Sequence, residues 1–206
     1  MYVPAHFAAG DEVVQELLTK HGAADLVTMT EGGLLATMLP FVYDAERKVL
    51  QGHLARNNEQ WQRAVIGEAL VILRGVDSYV SPSWYAAKRE HGRVVPTWNY
   101  VTAHVYGELT VHDDQGWTGD LVRRLTKLHE GSRSEPWSVD DAPAKFVSGQ
   151  LRAIVGIELA ITRIEAKVKL SQNRSAADVD GVIAGLRSDG DEAAAAAVEQ
   201  HRPQAT

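Results

Sequence analysis

Cysteine is absent from this sequence, so disulfides, thiolate zinc sites, iron–sulfur clusters and cysteine nucleophiles are excluded together. No apolar run approaches the roughly 20 residues that a membrane-spanning helix needs. The N-terminal residues also lack the basic and apolar segments of a signal peptide. We therefore expect a cytoplasmic protein without a membrane partner.

Positive charge is scarce as well. Lysine and arginine number 21 against 27 acidic residues, which gives a net charge of −6. Sequence-independent binding to nucleic acid needs clustered lysine and arginine, so this function is disfavoured. The best candidate for a DNA-contacting helix, residues 121–129, carries Arg123, Arg124 and Lys127 but has no recognisable helix-turn-helix partner. We expect any DNA binding to be indirect or to depend on a partner protein.

Familiar catalytic and nucleotide-binding motifs are missing too. The sequence has no G-x-G-x-x-G after a strand pattern, no P-loop, no H-E-x-x-H and no G-x-S-x-G. The histidines do not have the spacing of metal ligands; His104 and His112, for example, would lie about 27 Å apart along an ideal strand. The motifs therefore predict neither a metal site nor catalytic residues.

The sequence does contain a long series of strand patterns. Its 206 residues, 45% of them hydrophobic, are enough to bury one core. From Trp98 onward, one set of alternate positions is aromatic and polar while the other is small and apolar, which is typical of a strand with one buried face. Strands are predicted over residues 26–30, 34–43, 49–55, 69–73, 94–111 and 163–170.

Helices are interspersed with these strands. The patterns predict them over residues 11–21, 83–90, 121–129, 175–186 and 191–200, with a further helix start at Ser138 and Pro143 in its first turn. The last helix is rich in alanine, and we expect it to be exposed or frayed. The sum is an α+β protein, an antiparallel β-barrel with flanking helices over residues 1–188 and a helical C-terminal extension over residues 189–206.

Three segments carry residues suited to a ligand with a planar ring and a phosphate. Residues 52–58, at a predicted strand end, combine a histidine, an arginine and two asparagines, which can donate several hydrogen bonds to an anion. Residues 81–100 concentrate serines beside prolines, two tryptophans and Lys88. Residues 169–174 are polar and lie where a strand meets a helix start. The simpler interpretations are a hairpin turn, core aromatic residues and a capping loop.

Six blocks span nearly the whole chain: MYVPAHF at residues 1–7, LATMLP at 35–40, GHLARN at 52–57, YVSPSWY at 79–85, VPTWNY at 95–100 and KLSQNR at 169–174. In this order they resemble the PaiB family of FMN-binding negative transcriptional regulators. The sequence departs from the family at Met38, where a histidine would be expected, and at Val76, where a proline would be expected. Met38 leaves open a change in the lining of the pocket.

The resemblance implies an FMN-binding split β-barrel, a homodimer with flavin at the subunit interface and a role in repressing transcription. We expect residues 169–174 to approach the barrel of the partner chain, and the FMN phosphate to meet Arg56, Ser81, Ser83 and Lys88. The full set of residues that the resemblance assigns to FMN is Thr37, His53, Ala55, Arg56, Asn57, Ser81, Ser83, Trp84, Lys88, Thr97, Trp98, Asn99, Ser171, Gln172, Asn173 and Arg174.

Three functions stay open at this point. In the first, the protein is a flavin-binding regulator without catalysis. In the second, it is an FMN-dependent oxidoreductase that orients the cofactor. In the third, it handles haem, with His6, His53 or His104 as an axial ligand. The aromatic segment offers no obvious general acid or base, which favours the first function.

Overall fold

The structure is a computed structural model that describes residues 1–20 and 22–202. These residues form one seven-stranded sheet with flanking helices. The strands are β1 Ala23–Thr30, β2 Gly33–Pro40, β3 Val42–Asp44, β4 Val49–Ala55, β5 Ala69–Val80, β6 Thr97–His112 and β7 Ile154–Lys169. The helices are α1 Asp11–Lys20, α2 Ala87–Glu90, α3 Gln115–Glu130, α4 Ala144–Arg152, α5 Ala176–Ser188 and α6 Glu192–Gln200, with short 3-10 turns at Ala5–Phe7, Glu59–Gln62, Pro82–Trp84 and Val139–Asp141.

The two edges of the sheet are consecutive in the chain. The strand order is β2-β1-β5-β6-β7-β4-β3, and β2 is separated from β3 by Phe41 alone. β1 pairs antiparallel with β2 and β5, and β4 pairs antiparallel with β3 and β7. Neighbouring strands lie about 4.8 Å apart, so one residue cannot cross a flat sheet of this width. The sheet therefore curls until its edges meet, as the predicted barrel requires.

Glycine allows the closest approach at this closure. A Cβ atom on Gly52 of β4 would lie 2.8 Å from Cδ1 of Leu39 and 3.0 Å from the carbonyl oxygen of Pro40. Any larger residue would push β4 away from β2, because the second of these atoms belongs to the backbone. Phe41 is 2% exposed and fills the corner between the two edge strands.

The chain divides into two compact units. The first unit comprises Met1–Leu17, Arg74–Ala103 and Glu165–Thr206, and the second comprises Leu18–Leu73 and His104–Ile164. Strands β5, β6 and β7 each contribute residues to both. The fully buried side chains of the first unit include those of Tyr85, Leu170 and Leu186, and those of the second include Leu26, Leu50, Leu54, Leu121, Ile157 and Leu159.

A buried carboxylate organises part of the second unit. Glu158 on β7 is 8% exposed and accepts two hydrogen bonds from Arg47, at 2.8 and 2.9 Å, and a third from Gln51 of β4. Arg124 on α3 donates to Oε1 of Gln51 at 2.6 Å. A buried charge is tolerated only when it is paired and hydrogen-bonded. This network therefore holds β4, β7 and α3 together.

The strand predictions differ from the structure in length, and the single strand predicted over residues 34–43 is two strands, β2 and β3, on either side of Phe41. The bounds of β4 are confirmed. β5 continues to Val80, β7 already begins at Ile154 and ends at Lys169, and β6 begins at Thr97 rather than at residue 94. The added part of β5, residues 74–80, is mostly exposed and mixes polar residues with Gly75, Val76, Tyr79 and Val80. The alternation of buried and exposed residues in this part is therefore weak, and the strand is extended by its pairing with neighbouring strands rather than by a clear sequence pattern.

Two helix predictions were wrong in detail. Residues 83–90 do not form one helix, because Tyr85 has extended backbone between the turn Pro82–Trp84 and the single turn of α2. The extended conformation lets the Tyr85 side chain reach the core, where it is 1% exposed. Ser138 does form a capping box with Asp141, but it caps a 3-10 turn, and Pro143 is the N-cap residue of α4 rather than part of its first turn.

The C-terminal helix is packed rather than exposed, which corrects the expectation for residues 191–200. Ala194, Ala195 and Val198 of α6 are at most 2% exposed, and α6 contacts α5. Small side chains allow the two helices to approach closely, so the alanine-rich composition here serves packing. The predicted end of the first helix, His21, lies outside the described residues.

Two glycines of α5 accommodate Trp84. A Cβ atom on Gly181 would overlap the carbonyl oxygen of Trp84, and one on Gly185 would overlap the indole ring. The helix therefore lies directly against this tryptophan. On the face of the ring that lies against α5, Trp84 is a packed aromatic residue, as the simpler interpretation of the sequence predicts.

We predict opposite stability changes for two glycine-to-alanine variants. Gly185→Ala should lower the free energy of unfolding by about 1–3 kcal/mol, because its methyl group overlaps the Trp84 ring. Gly149→Ala on α4 should raise it by about 0.5–1 kcal/mol, because the only atom within 4 Å of the added methyl is the flexible end of Arg152, 3.9 Å away. Urea denaturation measures both. A gain in stability for both variants would contradict the packing of Trp84 on α5.

Candidate functional site

The sixteen residues that the resemblance assigns to FMN fall into two groups. Thr37, His53, Ala55, Arg56 and Asn57 belong to the second unit. The remaining residues belong to the first unit: Ser81, Ser83, Trp84, Lys88, Thr97, Trp98, Asn99, Ser171, Gln172, Asn173 and Arg174. Each group is described by its own contacts.

The loop that follows β4, residues 56–62, is fixed to the hairpin of β1 and β2. The amide of Gln60, a residue 2% exposed, donates to the carbonyl oxygen of Leu26 at 3.2 Å and to the hydroxyl of Thr28 at 3.1 Å. Asn58 donates to the hydroxyl of Thr37 at 2.9 Å, and its own side chain accepts from the backbone N–H of Gln60. These bonds place Thr37 beside the loop and hold the loop rigid.

Arg56, at the start of this loop, is engaged by Asp113. Its Nη1 and Nη2 atoms donate to the two carboxylate oxygens of Asp113, at 3.0 and 2.5 Å. It also donates to the backbone carbonyls of Arg152, at 2.7 Å, and Ile154, at 3.2 Å. The hydrogen bond to Asp113 raises the pKa of Arg56 and lowers the pKa of the carboxyl. A guanidinium has five N–H groups, and these four hydrogen bonds use four of them. One N–H group therefore remains for a ligand while the ion pair with Asp113 is intact.

Trp61 adds an aromatic ring that the sequence analysis did not single out. Its indole N–H donates to the carbonyl oxygen of Arg56 at 2.9 Å, and the Arg56 guanidinium carbon lies 6.0 Å from the ring centre. A tryptophan five positions after an arginine gives no pattern by itself, because the loop between them could take many paths. The 3-10 turn Glu59–Gln62 brings the two together.

His53 lines a cavity of about 250 Å³ with Pro40 and residues of α3 that include Leu125 and His129. Its Nδ1 atom is buried without a hydrogen-bond partner. Burial lowers the pKa of His53. The side chain is therefore a neutral imidazole with an unused polar atom in a mainly apolar cavity.

In the first unit, the segment 81–88 forms a compact polar turn. The Ser81 hydroxyl accepts from the backbone N–H of Ser83 at 3.2 Å, as an N-cap does. Lys88 donates to the Ser83 hydroxyl at 2.9 Å. The structure thus brings the predicted phosphate-binding residues Ser83 and Lys88 into direct contact, and both are exposed to solvent.

The two tryptophans of the first unit have different environments. Trp84 packs on α5, whereas Trp98 is 49% exposed. The Trp98 indole N–H donates to Asp77 at 3.1 Å, and its ring centre lies 6.2 Å from that of Tyr79, which is 47% exposed. Only Trp98 therefore presents a largely exposed ring, paired with a tyrosine from the neighbouring strand.

The polar segment after β7 is held to the start of β6. Asn99 and Ser171 are buried and hydrogen-bond to each other through both side chains, at 3.1 and 3.2 Å. Gln172 accepts from the backbone N–H of Leu170 at 2.6 Å and donates to the carbonyl oxygen of Val168 at 2.8 Å. Ser171 has a positive φ of 67°, which such bonds help to maintain.

The haem candidates do not share one unit. His6 lies in the first unit with its ring centre 4.1 Å from that of Phe7, while His53 and His104 lie in the second. Over residues 1–20 and 22–202, no three histidine or acidic side chains are grouped so that they could hold a metal ion. No described helix combines the length and the hydrophobicity needed to cross a membrane.

Comparison with known protein sequences gives matches over most of the chain. Residues 1–163 match the family described as "Putative FMN-binding domain". The chain is also similar to the Protease synthase and sporulation protein PAI 2 of Bacillus subtilis (strain 168). The two are 32% identical over 193 residues, which cover 92% of this chain and 90% of that protein.

Two solved structures show the same fold. The flavocytochrome Anf3 from Azotobacter vinelandii has a TM-score of 0.57 at 14% identity and covers 82% of this chain and 72% of its own. The FAD and heme binding protein from Mycobacterium smegmatis has a TM-score of 0.50 at 16% identity and covers 78% of this chain and 71% of its own. At such identities the similarity concerns the fold, and it confirms the predicted split β-barrel.

We predict that His53 makes stability depend on pH. Because burial lowers its pKa below the ordinary 6.5, the unfolded chain takes up a proton that the folded chain does not, and stability falls as pH drops below about 6.5. His53→Gln should flatten this fall by up to about 1.4 kcal/mol per pH unit. Urea denaturation between about pH 5 and 7.5 measures the slope.

The control for this prediction is His129→Gln, since His129 lines the same cavity but is exposed. The free energy of unfolding of His129→Gln should change with pH in the same way as that of the wild type. A wild-type slope in His53→Gln, or an equal flattening in both variants, would show that burial of His53 does not control the profile.

Proposed function

This chain belongs to the PaiB family, and we propose that it is a flavin-binding regulatory protein whose cofactor is FMN. The family match and the relative from Bacillus subtilis support a flavin cofactor. FMN, rather than riboflavin or FAD, is proposed because the residues assigned to the ligand include cations and hydroxyls suited to a single phosphate.

The rigid loop after β4 carries this proposal. It combines a guanidinium with an N–H group to spare, an aromatic ring and the exposed side chain of Asn57, and the half-exposed Thr37 of β2 lies beside it. A planar ring with a phosphate needs one surface to stack on and fixed donors for the anion. Because Gln60 and Asn58 hold the loop, little conformational entropy is lost when a ligand binds.

We propose that Arg56 binds the FMN phosphate. Arg56→Ala should weaken FMN binding by about ten- to a hundredfold and leave riboflavin binding nearly unchanged, because a charge-assisted hydrogen bond is lost only with FMN. Calorimetric titration with both ligands measures the difference. Equal losses for FMN and riboflavin would remove Arg56 from the phosphate site.

Asp113→Asn is the matched control for this experiment. Both substitutions break the ion pair between Arg56 and Asp113, but only Arg56→Ala removes the guanidinium. Asp113→Asn releases the arginine from a competing carboxylate, so FMN affinity should stay the same or rise. A loss of FMN affinity as large as in Arg56→Ala would assign the effect to the loop's geometry rather than to the phosphate.

We further propose a homodimer in which the first-unit residues complete the flavin site of the partner chain. The edge strand β2 supports an interface, because Leu34, Ala36 and Met38 are exposed at alternate positions. Leu34 and Met38 are 66% and 69% exposed, and Met29, paired with Leu34 across β1 and β2, is 42% exposed. Exposed apolar side chains grouped on one face of two paired strands in this way are typical of a surface that associates with another chain.

Placing a charge on this edge should dissociate the dimer. Met38→Glu should give a monomer mass in light scattering at micromolar concentration and should weaken flavin binding, since buried carboxylates are costly. Leu128→Glu, at a residue of α3 that is 49% exposed, is the control and should remain dimeric. A wild-type monomer that still holds flavin would contradict the interface and the shared site together.

We propose that any effect on transcription is exerted through a partner protein. Two of the three basic residues of α3 that the sequence singles out have partners within the chain: Arg124 donates to Gln51 at 2.6 Å, and the Arg123 guanidinium lies 3.5 Å from the Asp140 carboxylate. Direct operator binding needs basic side chains that are available to phosphates and bases.

The purified protein alone should therefore not hold a promoter fragment against excess competitor DNA in a gel shift at physiological salt. A specific shift that is lost in Arg123→Gln would overturn this prediction.

A further inference from the structure

The end of β7 and the segment after it carry positive charge without carboxylate partners. Lys169 donates to the Thr97 hydroxyl at 2.7 Å and to the backbone carbonyl of Trp98. The Arg174 guanidinium lies over the Tyr85 ring, with its carbon 4.5 Å from the ring centre. In the part of the chain that the structure describes, neither cation forms an ion pair with an acidic side chain.

A third cation increases the local charge. Lys167 is 8% exposed, and its ammonium nitrogen lies 5.3 Å from the centre of the Tyr100 ring and 5.8 Å from that of Phe7. Aromatic faces stabilise a cation without neutralising it. Burial lowers the pKa of Lys169, and the positive charges of Lys167 and Arg174 lower it further. An anion beside Lys169 would relieve this repulsion.

Lys169 and Arg174 line a cavity of about 90 Å³, whose other walls include Tyr85, Asn99 and Ser171. A water molecule takes up about 30 Å³ of liquid volume, so this space holds roughly three waters or one small oxyanion. Pockets for larger organic ligands measure about 300–1,000 Å³. The cavity is therefore too small for a flavin ring.

The Tyr85 hydroxyl gives an independent indication of a ligand. Tyr85 is 1% exposed, and its buried hydroxyl has no acceptor for its proton among the described residues. Buried hydroxyls are almost always hydrogen-bonded, and leaving one unpaired costs about 1–3 kcal/mol. Its charged neighbour Arg174 can only donate, so Arg174 cannot accept the proton of the Tyr85 hydroxyl, and the two groups lack a common acceptor.

One carboxylate lies near Tyr85 without filling this role. Asp178 is 4% exposed, and its Oδ1 atom accepts from the backbone N–H of Ala87 at 2.9 Å. Burial raises the pKa of Tyr85, the neighbouring Arg174 lowers it, and the charge of Asp178 adds to the increase. Asp178 does not line the cavity, so the groups around the cavity remain positively charged.

We propose that this cavity, the β7–α5 pocket, binds a small oxyanion, a phosphate or carboxylate group, held by Lys169, Arg174 and the Tyr85 hydroxyl. The proposal stands without the proposed flavin function. The oxyanion comes either from a separate small ligand or from the phosphate of a nucleotide whose remainder lies outside the pocket.

Titration with inorganic phosphate tests the pocket. By calorimetry on the full chain, Lys169→Met and Arg174→Gln should weaken phosphate binding by about ten- to a hundredfold, and Tyr85→Phe by about five- to tenfold. Arg89→Gln, at an exposed arginine of α2 that does not line the pocket, should bind like wild type. Tyr85→Phe removes a single oxygen atom, so it keeps the test valid if a charge variant fails to fold.

Competition with flavins identifies the source of the anion. If saturating phosphate weakens FMN binding but not riboflavin binding in the wild type, and no longer does so in Arg174→Gln, the flavin phosphate occupies the pocket and the assignment of Arg56 is wrong. If phosphate changes neither the FMN affinity nor the riboflavin affinity, the pocket binds a separate ligand. Phosphate binding without any flavin binding supports the pocket while contradicting the proposed function. No phosphate binding by the wild type at millimolar concentration, or equal binding by wild type, Arg174→Gln and Tyr85→Phe, would overturn the proposal.

Discussion

The one-residue connection between β2 and β3 is the constraint on which the barrel depends. Because Phe41 alone joins the two edge strands of a seven-stranded sheet, the sheet has to close, and Gly52 allows the close approach at that point. Closure brings the end of β4 beside the β1–β2 hairpin. The bonds of Gln60 and Asn58 across this junction then fix the loop that carries Arg56.

Individual cations of the two units have different neighbours. In the second unit, Arg47 is paired with the buried Glu158, and Arg56 with the exposed Asp113. In the first unit, Lys169 and Arg174 have hydroxyl, carbonyl and aromatic neighbours instead. Pairing with a carboxylate contributes to holding strands and loops in place, and Arg56 keeps one N–H group for a ligand beside its ion pair. Lys169 and Arg174 form no ion pair with a carboxylate among the described residues, so their charge remains available to an anionic ligand.

The aromatic residues show how the same residue type serves two roles. Trp84 lies against α5, where glycines at positions 181 and 185 provide its space, and Trp98 remains half exposed beside Tyr79. In sequence both tryptophans follow a proline within two residues, so local pattern does not distinguish them. Their burial depends on α5, which begins almost eighty residues after Trp98.

The sequence by itself determined the fold class, the bounds of β4, the buried face of β6 and the segments that carry ligand-binding residues, because alternation and motif are local properties. The tertiary structure alone decided which of those residues are free to act. Asp113 binds Arg56 from 57 positions away, and Arg174 contacts Tyr85 across an even longer stretch of the chain. Such partners are set by how the barrel closes and how α5 packs, and neither is encoded in the spacing of neighbouring residues.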